Sequence, residues 1–198
     1  MKKLATDIGV ISFIYTAAYC FQLYVLVPFN SHDRASVFFF PAAVRILCTM
    51  IYGYRACVGI MAGALIFYHL FDNTGLETEL EYFLVAGHSG LACGVSLVIW
   101  ALVSPKVSGV RNPIVAFKSI NAYDVFQFCL INALVDTAIS HTLFILVPDI
   151  MPDESPYWVL VTFVGNLTGA YLVFILLNLC YSLSKRILFF VSDIRSGT

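Results

Sequence analysis

The stretch Tyr82–Val103 reads YFLVAGHSGLACGVSLVIWALV and contains no Asp, Glu, Lys or Arg. A helix of about 20 apolar residues crosses the hydrocarbon of a bilayer, so this stretch is a candidate membrane span. Five more apolar stretches lie around it: Ile8–Val27, Val37–Tyr52, Cys57–Phe71, Val125–Val147 and Trp158–Leu183. The second and third are short, and read as poorly tilted, broken or shielded by neighbouring helices. Pro41 predicts an irregular start to the second. Gly53-Tyr54-Arg55 is a tight link that makes the second and third a helical hairpin. The expected fold is all-α: a polytopic transmembrane helical bundle of about six spans, in one integral membrane domain covering residues 1–198.

Composition supports this. The 198 residues are 60% hydrophobic and 12% charged, whereas a soluble domain is about 45–50% apolar and about 25% charged. A soluble single domain and a disordered chain are therefore excluded. The net charge is −1, from 11 basic and 12 acidic residues. That leaves no basic excess for nucleic acid. The six cysteines are widely scattered, with no C-x-x-C pair, and read as helix-packing residues rather than metal or redox centres. No cofactor is expected. Lys2 and Lys3 precede an apolar run as in a signal peptide, but Asp7 interrupts it. The run of about 20 residues is also longer than a signal core. Tyr19 is too bulky for lipoprotein cleavage before Cys20, so the first helix is expected to stay uncleaved.

Orientation follows from the basic residues. With the N-terminus inside, Lys2, Lys3, Arg55, Lys106, Arg111, Lys118, Lys185, Arg186 and Arg195 are cytoplasmic, Arg34 is outside, and Arg45 lies within a span. Acids crowd the other side, from Asp33, Asp72 and Glu77 to Asp153 and Glu154. The positive-inside rule then predicts an N-in/C-in topology. The connector Lys106–Asp124 reads as an interfacial helix on the cytoplasmic leaflet, or as a docking surface for a cytosolic partner. The basic tail Lys185–Thr198 reads similarly.

Polar residues inside the spans are the candidate site. An ionisable group in mid-bilayer costs about 2.5–3.5 kcal/mol, so it needs a reason to be there. Counted from the outer end of each span, Arg45 is about 13 Å deep, Asp136 about 16 Å, His88 and His141 about 9–10 Å, and Asn166 about 12 Å. If these groups converge, they line a polar cavity in the outer half, with Arg45 and Asp136 as an ion pair. Asn132, Asp136 and Ser140 share one helix face. The candidate ligand-binding set is Arg45, His88, Asn132, Asp136, His141 and Asn166. The plainer reading makes Arg45–Asp136 a structural pair and the histidines satisfied core residues. A His/His/Asp metal site lacks suitable spacing, and a proton relay through Asp136 remains a further alternative.

Three G-x-x-x-G pairs occur: Gly59/Gly63, Gly90/Gly94 and Gly165/Gly169. Small residues four apart let helices approach closely, either within the bundle or across a homodimer. Tyr157-Trp158 at the outer edge and Trp100 near the inner edge are expected belt anchors. The sequon Asn166-Leu167-Thr168 falls inside a span and is discounted. No nucleophile elbow, H-E-x-x-H, P-loop or dinucleotide turn is present, so no enzyme is expected.

Phe38-Phe-Phe-Pro-Ala-Ala-Val, then Tyr52-Gly-Tyr-Arg-Ala-Cys-Val-Gly-Ile-Met-Ala-Gly-Ala-Leu, resembles the type-one MASE (membrane-associated sensor) domains of bacteria. The stretch from Asn112-Pro through Ala122-Tyr-Asp-Val-Phe-Gln-Phe is similar to that family's connector. Val164-Gly-Asn-Leu-Thr-Gly-Ala resembles its last Gly-Asp…Gly segment, with Asn166 where Asp is usual. The motifs cover about two thirds of the chain. Family members usually have about eight spans and continue into a kinase or cyclic-dinucleotide domain, so this chain would be a shortened, stand-alone module. The resemblance implies a sensor in the bacterial cytoplasmic (inner) membrane that binds an unknown ligand and signals to a cytoplasmic protein. A second reading is the substrate-binding subunit of a vitamin-type uptake transporter. It matches the size and topology, but Ile8–Val27 lacks the Ala-x-x-x-Ala docking pair of those subunits. A structural subunit of a larger membrane complex is a third.

Overall fold

The computed structural model of the chain describes residues 2–26, 38–71, 78–104, 122–146, 157–172 and 174–175. Every regular element among them is helical. They are α1 (Lys2–Phe21), continued by a π-helical turn (Gln22–Leu26), then α2 (Phe40–Tyr52), α3 (Tyr54–Phe71), α4 (Glu79–Val103), α5 (Ala122–Leu146) and α6 (Tyr157–Leu172). Lys2–Leu26, α3 and α4 are long and apolar enough to cross a membrane. α2 and α6 are shorter apolar helices. α5 is 25 residues long.

Local chemistry moves the helix ends away from the apolar boundaries. α4 starts at Glu79 rather than Tyr82 because Thr78 and Glu81 form a capping box. The Glu81 amide donates to Thr78 Oγ1 (3.2 Å), and the Thr78 amide donates to Glu81 Oε2 (3.1 Å). α5 starts at Ala122, so Asp124 is a buried residue of its first turn rather than part of a connector. An acid there faces the positive end of the helix dipole. α2 starts at Phe40, with Pro41 in its first turn where the missing amide costs nothing. Its entering backbone is held by Gln22 from the π-helical turn, whose side-chain carboxamide bridges both sides. Gln22 Nε2 donates to the Phe38 carbonyl (3.2 Å), and the Phe40 amide donates to Gln22 Oε1 (2.9 Å). The remainder of the expected connector, residues 106–121, lies outside the described residues. So do residues 176–183 of the expected sixth span, Cys180, and the basic tail.

Paired contacts show the course of the chain. Ser12 and Thr16 donate to the carbonyls of Gly59 (3.0 Å) and Gly63 (2.9 Å), a constant offset that sets α1 parallel to α3. Asp7 and Arg55 close the same register with an ion pair at 2.9 Å. Gly53 turns α2 into α3 at φ 59°, a left-handed conformation suited to glycine. α4 runs antiparallel to α3: His69 meets Glu79 at one end (3.4 Å), and Gly90 meets Cys57 further along. Ser96–Asn132 and Trp100–Phe128 set α5 antiparallel to α4. Asp136–Asn166 and Phe126–Tyr171 do the same for α6 against α5. Successive helices therefore alternate in direction, which brings the start of α1 and the C-terminal end of α6 to the same end of the bundle.

The glycine pairs are used inside this bundle. A Cβ on Gly59 would lie 2.7 Å from the Ile11 side chain, and one on Gly63 2.6 Å from the Ser12 carbonyl oxygen. One on Gly90 would lie 2.6 Å from the Cys57 carbonyl oxygen, while Gly94 faces the Cys57 thiol at 3.7 Å. Gly165 accepts the Phe39 amide (3.0 Å), and Gly169 abuts the Phe39 backbone. Close approach of this kind is how helices gain dispersion contact and carbonyl-directed hydrogen bonds where no hydrophobic force separates protein from lipid. Trp100 departs from expectation. It is 2% exposed and packs on Phe128 with ring centroids 4.7 Å apart, so it is a core residue and not an interfacial anchor. Its position on the α4 face turned towards α5 outweighs the usual preference of indole for the interface.

Candidate functional site

Arg45 organises the interior. It is 1% exposed, and its guanidinium reaches three acceptors on two other helices. Nε donates to Asn132 Oδ1 (3.1 Å), Nη1 to Asp136 Oδ1 (2.5 Å) and Nη2 to Asn166 Oδ1 (3.3 Å). Asn166 Nδ2 returns a hydrogen bond to Asp136 Oδ2 (2.8 Å), so both carboxylate oxygens are engaged. Asn132 Nδ2 donates to Ser96 Oγ on α4 (3.1 Å), and Ser96 Oγ donates to its own helix at the Ala92 carbonyl (2.6 Å). One network thus joins α2, α4, α5 and α6.

The chemistry explains the geometry. A planar guanidinium offers donors in a fixed fork, which suits several oxygen acceptors around it. An isolated buried charge is too costly to keep, whereas a paired one with satisfied hydrogen bonds is tolerated. α5 supplies its part by helical spacing: Asn132, Asp136 and Ser140 stand four apart and are all buried. Thr49, one turn after Arg45, donates to the Arg45 carbonyl (2.7 Å) and so needs no acceptor from the network.

Four of the six predicted residues, Arg45, Asn132, Asp136 and Asn166, meet directly. His88 sits beside them, with Nε2 3.9 Å from Asp136 Oδ1. That is an ion-pair distance if the ring is charged, but too long for a hydrogen bond. His88 Nδ1 is hydrogen-bonded to the Val85 carbonyl. His141 does not join. It is partly exposed and makes no hydrogen bond or ion pair among the described residues. The reason is angular: five residues after Asp136 places it about 140° further round the helix. The arrangement also differs from the expected open cavity. Arg45, Asn132, Asp136 and Asn166 are 1–3% exposed and are packed against one another rather than lining free space. The burial of Asn166 also explains why its sequon can carry no glycan.

Two contributors escaped sequence reasoning. Ser96 gave no signal, because a serine in an apolar helix satisfies itself on its own backbone as readily as on a partner. Gln22 lies at the end of an apolar run, where its role depends on where α2 begins. His69, in the last turn of α3, stacks on Tyr82 with ring centroids 4.4 Å apart. The five described cysteines are free thiols. Among the described residues, no group of three or more His, Cys, Asp or Glu is placed to hold a metal.

Free space lies next to the network rather than within it. A cavity of about 590 Å³ runs between α4 and α5, with Met61 of α3 at its back and His88 on its wall. Its remaining lining is almost wholly apolar. Compared with protein-family models, curated proteins and solved structures, the chain shows no match.

Proposed function

We propose that this chain is a sensory module of the bacterial cytoplasmic membrane, crossing it about six times with both termini inside. It binds a ligand in its outer half and signals to a cytoplasmic protein without catalysing a reaction. The observation that carries this reading is the buried Arg45–Asp136 network, which links four helices and has His88 between it and an open cavity. Charged groups deep in an apolar bundle are functional candidates by default, because hydrophobic residues would pack there at lower cost. The MASE-like motifs at Pro41-Ala42-Ala43, Gly53-Tyr54-Arg55 and Gly165-Asn166 support the same reading, and Asn166 is itself part of this network.

The mechanism is a shift in population between two helix arrangements. Ligand contact at His88 changes its position relative to Asp136. The network transmits that change to α2, α5 and α6, whose inner ends a partner reads together with the connector 106–121. The test is affinity purification of the tagged chain from its native membrane, with mass spectrometry of the proteins that come with it. A kinase, a cyclase or another signalling protein is the expected result. An ATPase pair with a transmembrane coupling subunit would overturn the sensor in favour of vitamin-type uptake.

A further inference from the structure

The cavity between α4 and α5 opens on the outside of the bundle, past exposed Leu91 and Leu146. Its volume of about 590 Å³ falls within the range of roughly 300–1,000 Å³ typical of small-molecule sites. Met61, Leu84, Ile139 and Leu143 make an apolar lining. The polar exception that matters is His88.

Gly87 gives a second, independent indication. Gly90 and Gly94 on the same helix press against Cys57 of α3, but a Cβ on Gly87 would meet nothing within 4 Å. Glycine within a helix is destabilising relative to alanine, and no helix contact accounts for it here. What its missing side chain does provide is room in the cavity wall beside the imidazole.

The chemistry of the polar end selects the head group. A carbonyl can only accept, so the Val85 contact places a proton on His88 Nδ1 and leaves Nε2 an acceptor in the neutral ring. Asp136 Oδ1, 3.9 Å away, is held by Arg45 and does not line the cavity, so Nε2 is the atom a ligand meets. A ligand group seated against Nε2 must donate, and a hydroxyl does so. An ether or ketone offers only an acceptor.

Depth selects the rest of the molecule. His88 is six residues past Tyr82, where the uncharged stretch of α4 begins, about 9 Å along the helix. A phospholipid head group stays at the interface and does not travel that far into hydrocarbon. We infer that the α4–α5 cavity binds a membrane-dissolved, single-chain amphiphile with a hydroxyl head, hydrogen-bonded to His88. This rests on the membrane-sensor reading above and names its ligand class.

The probe is a long-chain primary alcohol carrying a diazirine on its chain, compared with its methyl ether. Each is photolysed with the purified full chain in phosphatidylcholine nanodiscs, and the labelled peptides are mapped by mass spectrometry. The alcohol is expected to label α4 and α5 about fivefold more than the ether, the preference set by one hydrogen bond. Gly87→Leu, which fills open space, is expected to abolish that labelling while leaving the protein monodisperse. His88→Phe should keep the labelling but bring the alcohol-to-ether ratio to about one. Equal labelling by both probes in the unmutated chain would show an unselective acyl-chain groove and overturn the assignment. So would labelling unaffected by Gly87→Leu, or cross-linked dimers joined through α4 and α5. No signalling readout enters, so selective labelling together with an ATPase pair in the affinity purification would sink the sensor reading alone.

Discussion

At the scale of single residues, Arg45 and Asp136 are held by each other and by two carboxamides. Removing one charge leaves the other buried without compensation. Arg45→Ala and Asp136→Ala are each expected to cost about 3–5 kcal/mol of stability, the usual penalty for breaking a buried pair. The double variant should lose less than the sum, because its members share one interaction. Denaturant unfolding of the four proteins in detergent micelles measures this, and fully additive losses would show that the pair is not coupled. The pairing was readable from sequence because Arg45 and Asp136 are the one cation and one carboxylate deep within the expected spans. His141 was misplaced because depth alone was considered, and residues at similar depth can point to opposite sides of a helix.

At the scale of helices, α4 carries three glycines with different surroundings. Gly90 lets α4 approach the α3 backbone, whereas a Cβ on Gly87 would meet nothing within 4 Å. Gly90→Leu should therefore force α3 and α4 apart and cost several kcal/mol, beyond the ~1–3 kcal/mol typical of overpacking, since the clash is with backbone. Gly87→Ala should instead be neutral or raise stability by up to about 1 kcal/mol, the propensity difference. Thermal unfolding followed by fluorescence-detected size exclusion separates the two. Equal effects would mean that the close α3–α4 approach at Gly90 does not govern assembly. The G-x-x-x-G spacing indicated close packing, but the partner helix of each pair was not in the spacing. Gly59 and Gly63 meet α1, Gly90 meets α3, and Gly169 meets the start of α2.

At the scale of the whole molecule, alternating helix directions put the start of α1 and the C-terminal end of α6 together. In the proposed membrane reading, the distribution of basic residues predicts that this end faces the cytoplasm. Reporter fusions at residue 1 and residue 198 are both expected to be active only when cytoplasmic. A reporter inserted between α1 and α2, near Arg34, is expected to be active only outside. Activity of alkaline phosphatase at either terminus would invert the orientation.

Composition, apolar run length and charge asymmetry are local or summed properties of the chain, so the helical class, the number of apolar segments and the expected orientation could be read directly from residues. The buried ion pair could be read too, since few charges lay deep enough to choose from. The helix start at Glu79 was less legible, because capping is a matter of a few hydrogen bonds rather than of hydropathy. Only the tertiary structure decided which faces meet. It turned His141 away from the network, brought Ser96 into it, buried Trp100 and left space beside Gly87. Each of these depends on the rotation of one helix against another, which is set by the packing of many side chains at once and has no signature in any single stretch.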